Sequence, residues 1–265
     1  MGHEDPEPVT QRAAAAQLES RLGWLGVAFL SLYLGSVYIK APFARPGVTV
    51  GDMIDIAIPM VLIFLYALVG RALGAGARSQ HGRSGPRMLL ILGGFALVLG
   101  HGMHVAANSI HDAIDRTRTT DPYGLINWWD ERVSHFTIDF SKIALCIGLT
   151  ALEGRSQEAG RFPQPGRTPA LGFLTLGALA YGFITFAAGV EGQTVALLLP
   201  FCLLYPVWSL ARGRPFPPVR RFYTLGAVVS IALFTVWGVW HHGFPEFSAV
   251  GLIPSSIPHD PGGSR

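Results

Sequence analysis

The sequence predicts an all-α, polytopic membrane protein with seven transmembrane helices. Half of the 265 residues are hydrophobic and only 14% are charged, whereas about a quarter of the residues of a soluble domain carry charge. The apolar residues form seven runs, each close to the roughly 20 residues that a helix needs to cross a bilayer. The two cysteines, Cys146 and Cys202, lie inside such runs, which excludes a disulfide framework and a cysteine-rich metal site.

Polar segments before, between and after the apolar runs divide the chain. Residues 1–21 lack an apolar core and a cleavage-like site, so we interpret them as a retained, mostly disordered polar arm and not as a signal peptide. Residues 22–242 form the predicted seven-helix domain, and residues 243–265 are a tail rich in Pro, Gly and Ser. Pro200 and Pro206 predict a kink in the sixth span. The expected spans are 22–39, 53–70, 87–107, 132–152, 169–190, 194–211 and 222–242.

Basic residues are distributed unequally between the two sides of the predicted bundle. The amino-terminal arm and the second, fourth and sixth connections contain thirteen of the twenty Lys and Arg residues, and the opposite side contains six. The positive-inside rule therefore predicts a multi-pass protein of the cell (inner) membrane with a cytoplasmic amino terminus and, after seven spans, a carboxyl terminus outside. Trp128, Trp129 and Trp240 fall at the predicted outer boundary, where amphipathic rings favour the headgroup region.

The charge distribution also limits the expected partners. The net charge is only +3, and the arginines are spread among short connections. A nucleic-acid surface is therefore not expected, because such a surface collects basic residues on one face. Membrane lipids are the expected surroundings, and the sequence indicates no particular protein partner.

Histidines and carboxylates collect at the predicted outer ends of the spans, where six of the nine histidines lie. At 100° per residue, His101, His104 and Asn108 share one helical face, and His111 continues that face if the helix extends. The adjacent pair of histidines on the last span is 100° apart, so only one of the two is expected to face a shared site. The other members of this outer layer are Asp130, Glu131, His135, Glu191, His241 and His242.

A polar stripe descends along the fourth span from Glu131 through His135 and Asp139 to Lys142. An unpaired charge at the depth of the last two residues would cost several kcal/mol, so they must pair with each other or line a water-filled cavity. The stripe predicts a cavity open to the outer side. Below Lys142 the span reads "IALCIGLTAL", which is nearly apolar and favours a closed cavity over a transport path.

The outer layer has the donors of a catalytic zinc site, which typically uses three protein ligands and one water. The expected ligands are His101, His104, His135 and one residue of the final histidine pair. Asp130 or Glu131 would serve as the general base or as a partner of a ligand. A lipid-like amide or ester is the expected substrate, because the site would open at membrane level. Further cavity-lining residues are Asn108, His111, Asp139, Lys142 and Glu191.

The chain resembles the CREST superfamily of membrane hydrolases, which includes the alkaline ceramidases. The shared features are seven spans, a histidine at one helix end, "DE" at the start of the next helix and histidines on the last helix. This resemblance implies zinc held by three histidines, with His104 or His101 as the first ligand and His241 or His242 as the late one. It implies that Asp130 positions the attacking water. The chain departs from the superfamily in its "LGHGMH" segment, which lacks the serine motif, and in its adjacent final histidines.

Other classes of function are compatible with the same residues. A b-type haem needs two axial histidines, which His101 or His104 could supply with His135 or His242. A di-iron oxygenase would need a larger histidine set and a cytoplasmic electron donor, so it is less well supported. A protein that handles ions or protons without catalysis would use the stripe on the fourth span. Each of these side chains also has an ordinary structural interpretation, either as a partner in an ion pair or as a polar residue at a helix end exposed to water.

Overall fold

Helices make up nearly all of the computed structural model, which describes residues 8–43, 45–74, 85–113, 121–158, 170–213 and 216–253. The π-helical turn Trp129–Ser134 joins α4 to α5, so residues 121–158 form one continuous helix. The only strands among the described residues are β1 (Pro42–Phe43) and β2 (Arg45–Thr49), which pair antiparallel before α2. The helices are α1 (Pro8–Tyr38), α2 (Val50–Gly74), α3 (Gly85–Ala113), α4 (Asp121–Trp128), α5 (His135–Glu158), α6 (Leu171–Glu191), α7 (Val195–Ala211) and α8 (Pro218–Trp240).

The helices have the length and composition of membrane spans. Six helical segments in the described part of the chain are long and apolar enough to cross a membrane, and α7 is a shorter apolar helix of 17 residues. Large apolar side chains cover the outside of the bundle, among them Phe95, Leu204 and Val239. Such a surface is stable in contact with lipid but not with water. The prediction of a helical, multi-pass membrane protein is confirmed at this level.

Contacts between helix ends show how the chain runs. Near one end, which we call the site end, Tyr33 of α1 contacts His101 of α3, and His101 approaches Asp55 of α2. At the opposite end, which we call the arginine end, the Ser156 hydroxyl of α5 donates to the Leu73 carbonyl of α2. Helices α1, α2, α3 and α5 therefore run in alternate directions between the two ends.

The amino-terminal segment is more ordered than the sequence predicted. Helix α1 begins at Pro8, so residues 8–21, which we had expected to form a mostly disordered arm, are helical. Four consecutive alanines favour the helix, and Leu18 and Leu22 are fully buried. Burial of these leucines against the bundle stabilises the helix. The hydropathy pattern did not reveal it, because the segment also contains many polar residues.

The carboxyl-terminal tail also contacts the bundle over its described part. The Glu191 carboxylate at the end of α6 accepts the backbone N–H of Phe247 at 2.8 Å. The Trp237 indole of α8 donates to the Pro245 carbonyl at 3.1 Å. These bonds fix the segment after α8 against the site end. Residues 254–265 of the predicted tail lie outside the described residues.

Candidate metal centre

Three residues at the site end converge on one point. His104 of α3, Asp130 of the π-helical turn and His135 at the start of α5 each offer one ligand atom, and these atoms lie within 4.8 Å of one another. Asp130 is buried and the two histidines are partly buried. This is the one group of its kind among the described residues, and the sequence had placed all three members in a predicted site.

The π-helical turn explains why Asp130 belongs to the group. Positions 130 and 135 would be about 140° apart on an α-helix, at 100° per residue. A π-helical turn closes i to i+5 and brings two such positions close to one line. The Ser134 hydroxyl donates to the Asp130 carbonyl inside this turn. The wider turn therefore directs Asp130 and His135 to the same side.

Hydrogen bonds hold the His104 ring in a defined orientation. Its Nδ1 lies 2.6 Å from Oδ1 of Asp130. Its Nε2 lies 3.2 Å from Nδ2 of Asn108, one helical turn further along α3. The two contacts are satisfied together when Nδ1–H donates to the carboxylate and Nε2 accepts from the amide. The ring centroid of His104 lies 4.9 Å from that of His135, in an edge-to-face arrangement.

A second layer beneath this group contains His101, which is 2% exposed. The Tyr33 hydroxyl lies 3.0 Å from Nε2 of His101, and when the hydroxyl donates this bond, Nδ1 carries the proton of the neutral ring. Nδ1 faces Oδ1 of Asp55 at 3.4 Å, and Oδ2 of Asp55 lies 3.6 Å from Nε2 of His104. Asp55 thus stands between two of the predicted ligands.

Sequence reasoning missed both Tyr33 and Asp55. A signal for Asp55 was present, because it is a carboxylate within an apolar span. The neighbouring carboxylate has a local role, since Asp52 accepts the Thr49 backbone N–H at 2.7 Å at the start of α2. Among the described residues, no such local hydrogen bond accounts for Asp55. Tyr33 gave no signal, because its role depends on a single long-range contact with His101.

The predicted polar stripe is present along the π-helical turn and α5. Oε2 of Glu131 lies 3.9 Å from Nε2 of His135, and the Glu131 side chain is 43% exposed at the mouth of the site. Deeper in the bundle, Lys142 forms an ion pair with Asp139, which also accepts the Thr194 hydroxyl of the turn before α7. A cavity of about 20 Å³ adjoins Lys142, which is room for a single water. Pairing, rather than a large water-filled cavity, compensates these buried charges.

The remaining predicted site residues lie outside the three-residue group. The His241 ring packs on Trp237 with centroids 4.1 Å apart. His242 is exposed and has a left-handed φ of 52°. The Glu191 carboxylate accepts backbone N–H groups after α8, as described above. Burial, together with the nearby charge of Glu191, raises the pKa of Glu246. The prediction for His111 concerns a side chain outside the described residues.

Comparison with protein-family models, curated proteins and solved structures finds no match for this chain. Its functional assignment therefore depends on its own architecture and donor groups. These define a polytopic helical membrane protein with a candidate metal centre, composed of two imidazoles and one carboxylate, near one end of the bundle.

Proposed function

We propose that this chain is a zinc-dependent membrane hydrolase that acts on lipid-like amides or esters. The observation that carries the proposal is the convergence of His104, Asp130 and His135 within 4.8 Å. Two imidazoles and one carboxylate are a donor set used by catalytic zinc, which keeps its fourth position for water. Zinc would lower the pKa of that water to about 7.

The metal-free geometry is compatible with such a centre. Tetrahedral ligands with bonds of 2.0–2.1 Å are about 3.3 Å apart, whereas Nδ1 of His104 and Oδ1 of Asp130 are 2.6 Å apart and share a proton. A cation that replaces this proton would increase the distance between the two atoms by less than an ångström. His104 could then direct its Nε2–H toward Asp55, the carboxylate support that metal-bound histidines commonly have.

Glu131 is the best placed proton acceptor. It lies next to His135 at the open mouth of the site, where its carboxylate would be placed to take a proton from the water that zinc, held by the three ligands, would activate. The resemblance to the CREST superfamily would give this role to Asp130. We assign it to Glu131 because Asp130 is buried and belongs to the candidate ligand group.

A lipid-like substrate suits the surroundings of the site. Trp128 and Trp129 are exposed beside the π-helical turn, and indole rings favour the boundary between lipid and water. Eight of the Lys and Arg residues in the described ranges belong to the arginine end. By the positive-inside rule we place that end in the cytoplasm and the site end at the outer face of the cell membrane.

A haem cofactor is less well supported than zinc. The rings of His104 and His135 are already in edge-to-face contact, with their centroids 4.9 Å apart. A macrocycle would have to enter between these rings. It would also displace Asp130, which is hydrogen-bonded to His104.

The proposal is tested by the metal content of the purified full-length protein. We expect about one zinc per chain, without a Soret band in the absorption spectrum. His104→Ala, Asp130→Asn and His135→Ala should each weaken zinc binding at least tenfold and leave membrane insertion intact. His242→Ala is the matched control, because this exposed side chain lies outside the group. Unchanged zinc in the three variants would contradict the proposal.

Catalysis requires a separate test with the zinc-loaded protein. Fluorogenic N-acyl amides and acyl esters in mixed micelles are the probes. Glu131→Gln should retain zinc but lower turnover by roughly 10²- to 10⁴-fold, the usual effect of removing a general base. If wild-type protein binds zinc and hydrolyses none of these probes, the metal centre stands and the hydrolase assignment fails.

A further inference from the structure

A second feature of the bundle is a cleft of about 700 Å³ between α2, α3 and α5. It belongs to the arginine end, whereas the candidate metal centre belongs to the site end. Its walls are mainly apolar and include Ile63, Leu90, Ile91 and Leu145. Ile91 is 53% exposed, so the cleft opens on the lipid-facing surface of the bundle.

Glycines keep this cleft open. A Cβ atom on Gly74 would have no neighbour within 4 Å, and one on Gly94 would only touch Ile63 at 3.9 Å. Close helix packing therefore does not require a glycine at either position. This differs from Gly93, where an added Cβ would lie 2.9 Å from the Leu145 side chain. The glycines that line the cleft leave space that an occupant can fill.

Two arginines line the same cleft at its polar end. Arg71 lies in the last turn of α2, and Arg87 lies in the first turn of α3. Both side chains are exposed, and neither has a hydrogen-bond or ion-pair partner among the residues that the structure describes. A guanidinium group binds phosphate oxygens in a bidentate geometry. The cleft thus combines apolar walls with a cationic end.

We propose that this cleft is a binding site for an anionic phospholipid. The phosphate lies between Arg71 and Arg87, and an acyl chain lies along the apolar walls toward Ile63. Basic pockets between membrane helices commonly bind anionic headgroups in this way. A second copy of the chain fits less well, because a twofold contact at this cleft would bring the arginines of both copies together. A free phosphate would leave the apolar walls uncovered.

The test measures lipid retention by the full-length protein. Protein from vesicles of phosphatidylcholine mixed with phosphatidylglycerol is transferred to detergent, and native mass spectrometry counts the bound lipids. Wild type should retain phosphatidylglycerol in preference to phosphatidylcholine. Arg71→Gln and Arg87→Gln should each weaken this retention roughly fivefold. Arg212→Gln is the control, since it removes the same charge at the same end but outside the cleft.

A second pair of variants tests the apolar part of the site. Gly94→Leu should fill the cleft and lower retention of phosphatidylglycerol, whereas Gly172→Leu, which also meets open space, should not. Glycerol phosphate, which has no acyl chain, should not displace the lipid. The proposal would be overturned if the Arg71 and Arg87 variants retained as much lipid as wild type, or if Arg212→Gln lost as much as they do. Displacement of the lipid by glycerol phosphate would also overturn it. So would a change of oligomeric state in Gly94→Leu with lipid retention unchanged.

Discussion

At the scale of single residues, the buried ion pair on α5 is a strong determinant of stability. Lys142 and Asp139 are 2% exposed each, and Asp139 also accepts a hydrogen bond from the Thr194 hydroxyl. Breaking a buried pair leaves an uncompensated charge and is far more costly than removing both partners. A substitution at either position alone is therefore expected to destabilise the protein.

We expect Asp139→Asn to destabilise the protein by about 3–5 kcal/mol, because it leaves the Lys142 ammonium group buried without its counter-charge. The double variant Asp139→Asn with Lys142→Met should recover most of this loss. Thermal unfolding in detergent micelles, followed by circular dichroism, measures both effects. If the double variant is no more stable than the single one, the ion pair does not have the assigned role.

The candidate site was predictable from the sequence only in part. The shared outer layer indicated His104, Asp130 and His135 as neighbours, which is how the structure has them. Helical spacing placed Glu131, and not Asp130, on the face of His135, because it assumed an α-helix throughout. It also could not find Asp55, whose position beside His101 depends on how α2 packs against α3.

At the scale of elements, the π-helical turn and the glycine contacts are the features that periodicity does not reveal. The turn Trp129–Ser134 changes which side chains of the fourth span face α3. Hydropathy located the apolar cores of the spans, since lipid contact imposes that pattern. It missed residues 8–21 of α1, whose polar side chains accompany buried leucines.

The contact between α1 and α6 is a closely packed helix pair. A Cβ atom added to Gly26 would overlap the backbone of Gly177, and one added to Gly177 would overlap the backbone of Gly23. Small residues allow such close approach, which is a main source of stability between helices in lipid. The two backbones are in direct contact at these positions.

We expect Gly26→Ala to destabilise the protein by about 1–3 kcal/mol, the usual cost of overpacking. The added methyl group would meet backbone atoms, which cannot move aside as a side chain can. Gly172→Ala on α6 is the control, because its Cβ meets no neighbour within 4 Å. Unfolding temperatures in the same detergent provide the comparison. Equal temperatures for the two variants would show that the close contact is not important for stability.

At the scale of the whole molecule, contacts at both ends determine the path of the short helix α7. The Glu191 carboxylate at the end of α6 contacts Phe247, which follows α8, so these two helices end at the same side. The Glu153 carboxylate near the end of α5 accepts the backbone N–H of Val219 at 2.6 Å, which places the start of α8 at the arginine end. The chain must therefore return along α7 between the two sides.

Helix α7 has 17 residues, or about 26 Å at 1.5 Å per residue, slightly less than the roughly 30 Å of a bilayer core. If α7 crosses, the termini lie on opposite sides of the membrane. We expect alkaline phosphatase, which is active only outside the cytoplasm, to be active when fused after Arg265 and inactive when fused after Gly213. Green fluorescent protein at the amino terminus should fluoresce. Phosphatase activity at Gly213 but not at Arg265 would show that the orientation is the opposite one. The candidate metal centre would then receive the proposed lipid substrate from the cytoplasmic leaflet.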